Sequence, residues 1–186
     1  MAVKRAGCKD YFIAIIPPPP IYDEANILKH HFKEQYQSKA SLNSPPHITL
    51  HMPFEWKEEK EKVLTEKLSD FISELPKPRI TITGFDCFRP RVIFLNVAKT
   101  PELAKLQKEL ESFCKRTFQL FNAQYRDLPF HPHLTLAFRD LKKAAFEEAW
   151  LEFEKKEFSG DFLTERIALL KHNGKTWEVF TEFSLA

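Results

Sequence analysis

Two short segments of this sequence carry residue types that can move protons at neutral pH and donate hydrogen bonds to an anion: Pro46-His47-Ile48-Thr49-Leu50 and Pro132-His133-Leu134-Thr135-Leu136. An imidazole titrates near neutral pH, so it accepts a proton when neutral and donates one when charged. Two of them, one in each state, make a complete acid–base couple. On a strand, His47 and Thr49 share one face while Ile48 and Leu50 take the other, and His133 and Thr135 stand likewise against Leu134 and Leu136. The threonine hydroxyls can then donate to non-bridging oxygens, where donors help most as charge builds in the transition state. A single His-x-Thr is a chance-level pattern. Two of them, each preceded by proline and followed by leucine, are not.

The elements around the two segments repeat. Tyr11 to Ile16 reads as a buried strand stopped by Pro17 to Pro20. Ile21, Ala25, Leu28, Phe32 and Tyr36 then fall on one helical face. After the first His-x-Thr come a second amphipathic helix, marked by Leu64, Leu68, Phe71, Ile72 and Leu75, and a strand over 79–83. The second round begins with the strand Val92 to Val97 and a helix marked by Leu103, Leu106, Leu110 and Phe113. The second His-x-Thr follows, then a helix through Phe146, Ala149 and Phe153 and a strand over 165–171. The repeat runs approximately over 11–83 and 92–171, and the histidines lie 86 residues apart. No linker separates the halves, so residues 1–186 read as one bilobal domain with the histidine strands facing a cleft. Asn173-Gly174 signals a type I′ hairpin turn at the end, and Glu55 to Lys62 reads as a solvated helix start.

Recognition of a phosphate also calls for fixed positive charge. Arg89, Arg91, Arg126, Arg139 and Lys171 lie near strand ends, and Arg139 extends the parity of His133 and Thr135. His131 and His51 share the parity of their neighbours and are candidates for the cleft rim. Phe130 flanks the second segment and can stack on a base. His131, His133, His47 and His51 together also supply enough imidazoles for zinc, a reading that leaves the repeated threonines without a role. A module that binds a phosphorylated ligand without turnover is the other alternative.

Composition sets the bounds. With 28 Lys and Arg against 26 Asp and Glu, the formal charge is only +2, so any phosphate is bound by a local pocket and not by bulk charge. Three cysteines at unrelated spacings give neither a disulfide framework nor a CxxC zinc pattern. The apolar run at Tyr11 is too short to cross a membrane, which places the protein in the cytoplasm, a monomer by default.

The two Pro-His-x-Thr-Leu segments resemble those of the 2H phosphoesterases, specifically the bacterial 2'-5' RNA ligase-like (LigT-like) branch. The opening Tyr-Phe-Ile-Ala-Ile-Ile-Pro-Pro and the closing Gly-Lys-Thr-Trp-Glu-Val are similar as well. The resemblance implies an α+β fold of two pseudo-symmetric lobes, each an antiparallel sheet with helices packed outside. It implies that His47, Thr49, His133 and Thr135 are the catalytic and phosphate-binding four. It further implies opening of 2',3'-cyclic phosphates on RNA ends or small cyclic nucleotides, or joining of 2'-5' linkages, with no metal or cofactor. One departure stands out: Phe138 separates Ala137 from Arg139, where bacterial members often carry Ala-Arg.

Overall fold

The computed structural model describes residues 6–121 and 129–186, and Arg126 lies outside them. The chain forms β1 (Cys8–Ile15), α1 (Ile21–Tyr36), β2 (Ile48–Lys57), α2 (Glu61–Ile72), β3 (Arg79–Phe88) and β4 (Val92–Val97). It continues with α3 (Pro101–Phe118), β5 (His133–Ala137), α4 (Lys143–Phe153), β6 (Ser159–Leu163), β7 (Arg166–His172) and β8 (Trp177–Ser184). This is an α+β fold.

Local chemistry accounts for the boundaries. Four prolines after Ile16 end the ladder of β1, since proline has no N–H to donate. The α3 start is capped by Thr100, whose hydroxyl accepts from the Leu103 N–H at 3.2 Å, with Pro101 in the first turn. Helices α1 and α3 both stop at a glutamine in the left-handed conformation, Gln37 and Gln119.

All eight strands join one antiparallel sheet in the order β6-β3-β4-β5-β2-β1-β7-β8. The two four-stranded halves meet at its centre through a single residue pair, Ile48 opposite Leu134. Each half borrows a strand: β3 follows α2 in sequence but pairs with β4, and β7 follows α4 but pairs with β1. The helices cover one face. Their apolar stripes, including Leu64, Leu68, Leu103, Leu110 and Phe146, pack with Ile13, Ile15, Ile48 and Leu134 in the main core. The opposite face carries a small cluster of Phe12, Ala14, Ala168 and Leu170, with Trp177 packed beside it. Burying a leucine or isoleucine side chain completely contributes about 1.5–3 kcal/mol, so the apolar residues inside each His-x-Thr fix which face the polar ones must take.

Two sequence expectations change. Residues 55–57 continue β2, and α2 begins only at Glu61 after a 3-10 turn over Glu58–Lys60. The final hairpin is not a two-residue type I′ turn. Only Gly174 has positive φ (103°), whereas a type I′ turn needs it at both central residues. Residues 173–176 form a four-residue connection instead, in which the Asn173 side chain accepts from the N–H groups of Lys175 and Thr176, both at 2.9 Å. Among the described residues no helix is long and apolar enough to cross a membrane.

Candidate active site

The junction of the two halves falls in the middle of both motifs. Ile48 and Leu134 are the residues between each histidine and its threonine, and both are fully buried on the helix side. An antiparallel register through this pair directs His47 toward Thr135 and Thr49 toward His133, with all four on the open face. All four are half-buried.

Both imidazoles are oriented in the same way. His47 Nδ1 lies 2.8 Å from the Pro45 carbonyl, and His133 Nδ1 lies 2.7 Å from the His131 carbonyl. A carbonyl only accepts, so each Nδ1 carries the hydrogen and each Nε2 keeps its lone pair. Aromatic rings fix the tilt: Phe12 on β1 packs on His47 at 4.8 Å between centroids, and Phe94 on β4 packs on His133 at 4.9 Å. Among the described residues neither Nε2 and neither threonine hydroxyl has a protein hydrogen-bond partner, so all four polar atoms are available to a ligand.

Burial sets the protonation state. It pushes His47 down to about 4, helped by the positive charge of Lys29 and by His133 and opposed by the bond to the Pro45 carbonyl. Burial also lowers His133, with the nearby His131 acting in the same direction and the His131 carbonyl opposing. Both rings are therefore neutral near pH 7 until an anion arrives, and a bound phosphate favours one shared proton.

The other candidate residues divide. His131 is exposed and lies 6.1 Å from His133, centroid to centroid, so the structure brings it to the site. Arg91 sits in the β3–β4 turn, next to the strand end that carries Phe88, whose ring is 5.2 Å from His133. Phe130 packs against the main core and is only partly exposed.

Lys171 is not brought to the histidines. It pairs with Tyr11, on the helix-covered face, and donates to Glu58 at 2.8 Å and Glu61 at 2.6 Å. Its neighbours Leu170 and His172 hold the parity of the open face.

The parity expected for His51 and Arg139 fails for one shared reason. A bulge follows each His-x-Thr: Ala14 faces Thr49 but Ile13 faces His51, and Phe94 faces Thr135 but Ile93 faces Ala137. The extra residue puts two consecutive side chains into the core, Leu50 with His51 and Leu136 with Ala137. His51 is 1% exposed and bonds through Nδ1 to the Met52 carbonyl at 2.9 Å, near Gln107 of α3, which donates to the Leu50 carbonyl. Four imidazoles therefore do not converge. Arg139 has left the strand in a left-handed conformation (φ 59°), its guanidinium 5.0 Å from the Phe138 ring. It is exposed and makes no ion pair among the described residues.

Sequence reasoning misses three residues here. Asn96 stands directly opposite His133, and its signal is a polar residue at an alternating position inside an apolar strand. Phe88 is 41% exposed yet packs on Phe94 and His133. Lys29 is buried on α1 behind His47 and leaves no signal, because a helix lysine normally reads as solvated. On the His47 side a groove of about 630 Å³ opens between α1 and the β7–β8 hairpin, lined by Tyr22, Asn26, Asn43, Pro45 and Trp177 among others.

Two histidine–threonine pairs thus lie on the open face of a near-palindromic antiparallel sheet. The family model of the 2'-5' RNA ligase superfamily matches residues 17–176, and the chain belongs to that superfamily, the 2H phosphoesterases. A Geobacillus kaustophilus protein named a presumptive phosphoesterase is 33% identical over 177 residues, covering 93% of this chain and 94% of its own length. One from Bacillus cytotoxicus with the same description is 31% identical over 176 residues, covering 93% and 95%. The fold is LigT-like: ligand-free Escherichia coli LigT superposes with a TM-score of 0.66 at 21% identity over 96% of this chain and 98% of its own. A Thermus thermophilus protein gives 0.64 at 18% identity, covering 95% and 97%. Escherichia coli LigT has also been solved with 3'-AMP, with NADP+ and with ATP. This chain is accordingly a phosphoesterase of the 2H kind.

Proposed function

We propose that this phosphoesterase opens 2',3'-cyclic phosphates at the ends of RNA or on small nucleotides, in the cytoplasm, as one bilobal domain that uses general acid–base catalysis and no cofactor. The observation that carries the reading is the matched pair of imidazoles, each fixed through Nδ1 to the carbonyl two residues earlier with Nε2 free. One neutral imidazole takes a proton from the attacking water. The other, charged once the phosphate is bound, gives its proton to the departing ribose oxygen. Each transfer is typically worth ~10²–10⁴ in rate. Thr49 and Thr135 donate to the non-bridging oxygens. With a 5'-hydroxyl in place of water as the nucleophile, the same groups open the cyclic phosphate into a 2'-5' linkage, the 3' oxygen leaving with the donated proton. The nucleotides carried by the Escherichia coli LigT structures support a nucleotide substrate.

The test is turnover of 2',3'-cyclic AMP and of a short RNA ending in a 2',3'-cyclic phosphate, with EDTA present. The expected outcome is turnover by the wild type, lost by more than ~10²-fold in His47→Ala and in His133→Ala. No turnover of either substrate by folded wild-type protein overturns the cyclic-phosphate assignment. Binding of the RNA end that persists in both variants, without any turnover, assigns the site to a binding module.

A further inference from the structure

Lys29 is 1% exposed and faces inward from α1 among Ile21, Ala25 and Phe32. A buried ammonium is costly unless it is paired. Here its hydrogen bond goes to a neutral acceptor, the Ser44 carbonyl, at 2.6 Å, and no carboxylate pairs with it among the described residues. The next carbonyl along the chain, that of Pro45, takes the Nδ1–H of His47. Pro45 and Pro46 have fixed φ, so anchoring Ser44 anchors the whole run into His47. The second motif has no equivalent: no other lysine is buried among the described residues, and His133 is approached instead by the exposed His131.

We propose that Lys29 is the positioning residue that makes the two histidines unequal: its buried ammonium holds the Ser44–His47 segment and adds a positive charge to the burial that already disfavours a proton on His47, so that His47 accepts the proton and His133 donates it. The assignment of base and acid rests on the function proposed above; the action of Lys29 on His47 does not. Burial pushes Lys29 itself down to about 8, so it is mostly charged at pH 7. The charged and titratable groups bearing on His47 are Lys29 from α1 and His133 from β5, while β1 contributes the Phe12 ring.

The test uses NMR titration of the imidazoles in the ligand-free full chain, wild type beside Lys29→Met and Lys29→Gln. In the wild type His47 should be the Nδ1–H tautomer and titrate well below 6.5. In Lys29→Met its midpoint should rise by about one unit, and the acidic limb of kcat/KM for 2',3'-cyclic AMP should rise with it, a loss of about tenfold on that limb. Lys29→Gln keeps an amide donor without charge, so it should retain the tautomer and still show the rise. The His133 midpoint and a native spectrum serve as the control for folding. An unchanged His47 midpoint in a folded variant overturns the proposal, and so does a wild-type His47 that titrates near 6.5, a result that needs no variant to fold. If cyclic AMP is not turned over, the titration still decides what Lys29 does.

Discussion

The hydroxyl of Ser38 donates to Asp140 at 2.8 Å across 102 residues of sequence. The other oxygen of the same carboxylate accepts from the backbone N–H groups of Lys39 and Ala40, at 2.8 and 3.0 Å. Asp140 lies just past the second His-x-Thr strand, and residues 38–40 lead toward the first. One carboxylate thus ties the exit of one motif to the entrance of the other. Asp140→Ala should therefore cost about 2 kcal/mol or more, since it leaves the buried Ser38 hydroxyl and two N–H groups without their charged acceptor. Urea unfolding of the variant measures it, and a change below about 0.5 kcal/mol would contradict the role.

The threonine hydroxyls separate function from folding. Neither Thr49 nor Thr135 spends its hydroxyl on a protein acceptor among the described residues, so Thr49→Val and Thr135→Val should change stability by less than about 1 kcal/mol. Turnover should fall by about 10²-fold in each, the usual loss for one donor aimed at developing charge. Steady-state rates beside urea midpoints check both halves of this expectation.

Lys171 provides the converse case. Its ammonium is tied to Glu58 and Glu61 on the helix-covered face. Lys171→Met should leave kcat and KM within about twofold. It should cost about 1 kcal/mol, because both pairs are partly exposed and solvent screens them. A large loss of turnover at unchanged stability would return Lys171 to the cleft.

Stability should depend on pH through His47. Its folded value lies below that of the unfolded chain, so between about 4 and 6.5 the unfolded state binds the extra proton. Stability is then fully present above 6.5 and is lost as pH falls toward 4, by up to about 3 kcal/mol from this one group. His133 and His51, both lowered by burial, act in the same direction. Urea unfolding at pH 5 and pH 7.5 should show a smaller difference in His47→Gln than in the wild type.

How far the sequence carries depends on the kind of physics involved. The faces of His47, Thr49, His133 and Thr135 are legible, since alternation against buried Ile48, Leu50, Leu134 and Leu136 is a local pattern. His51 and Arg139 are misplaced by it because a bulge is a mismatch with a partner strand and leaves no mark in its own. Strand β6 escapes the same reading: Ser159 to Leu163 includes a glycine and shows weak alternation, and it is defined by pairing with β3. Lys29 is invisible because its burial comes from elements distant in sequence that close around α1. Lys171 carries the correct residue type but the wrong face, as its odd position relative to Leu170 and His172 already dictates.

The exchange of β3 and β7 between the sheet halves has a consequence for synthesis. Strand β1, beside the His47 strand, stays an open edge until β7 pairs with it, Phe12 with Leu170. Contacts so distant along the chain form slowly. A nascent chain with its first hundred residues outside the ribosome thus exposes an apolar strand with nothing to cover it, a species prone to aggregate. Neither half can mature alone, so the protein should emerge inactive and acquire its first histidine's full support only after the strand at 166–172 has been released.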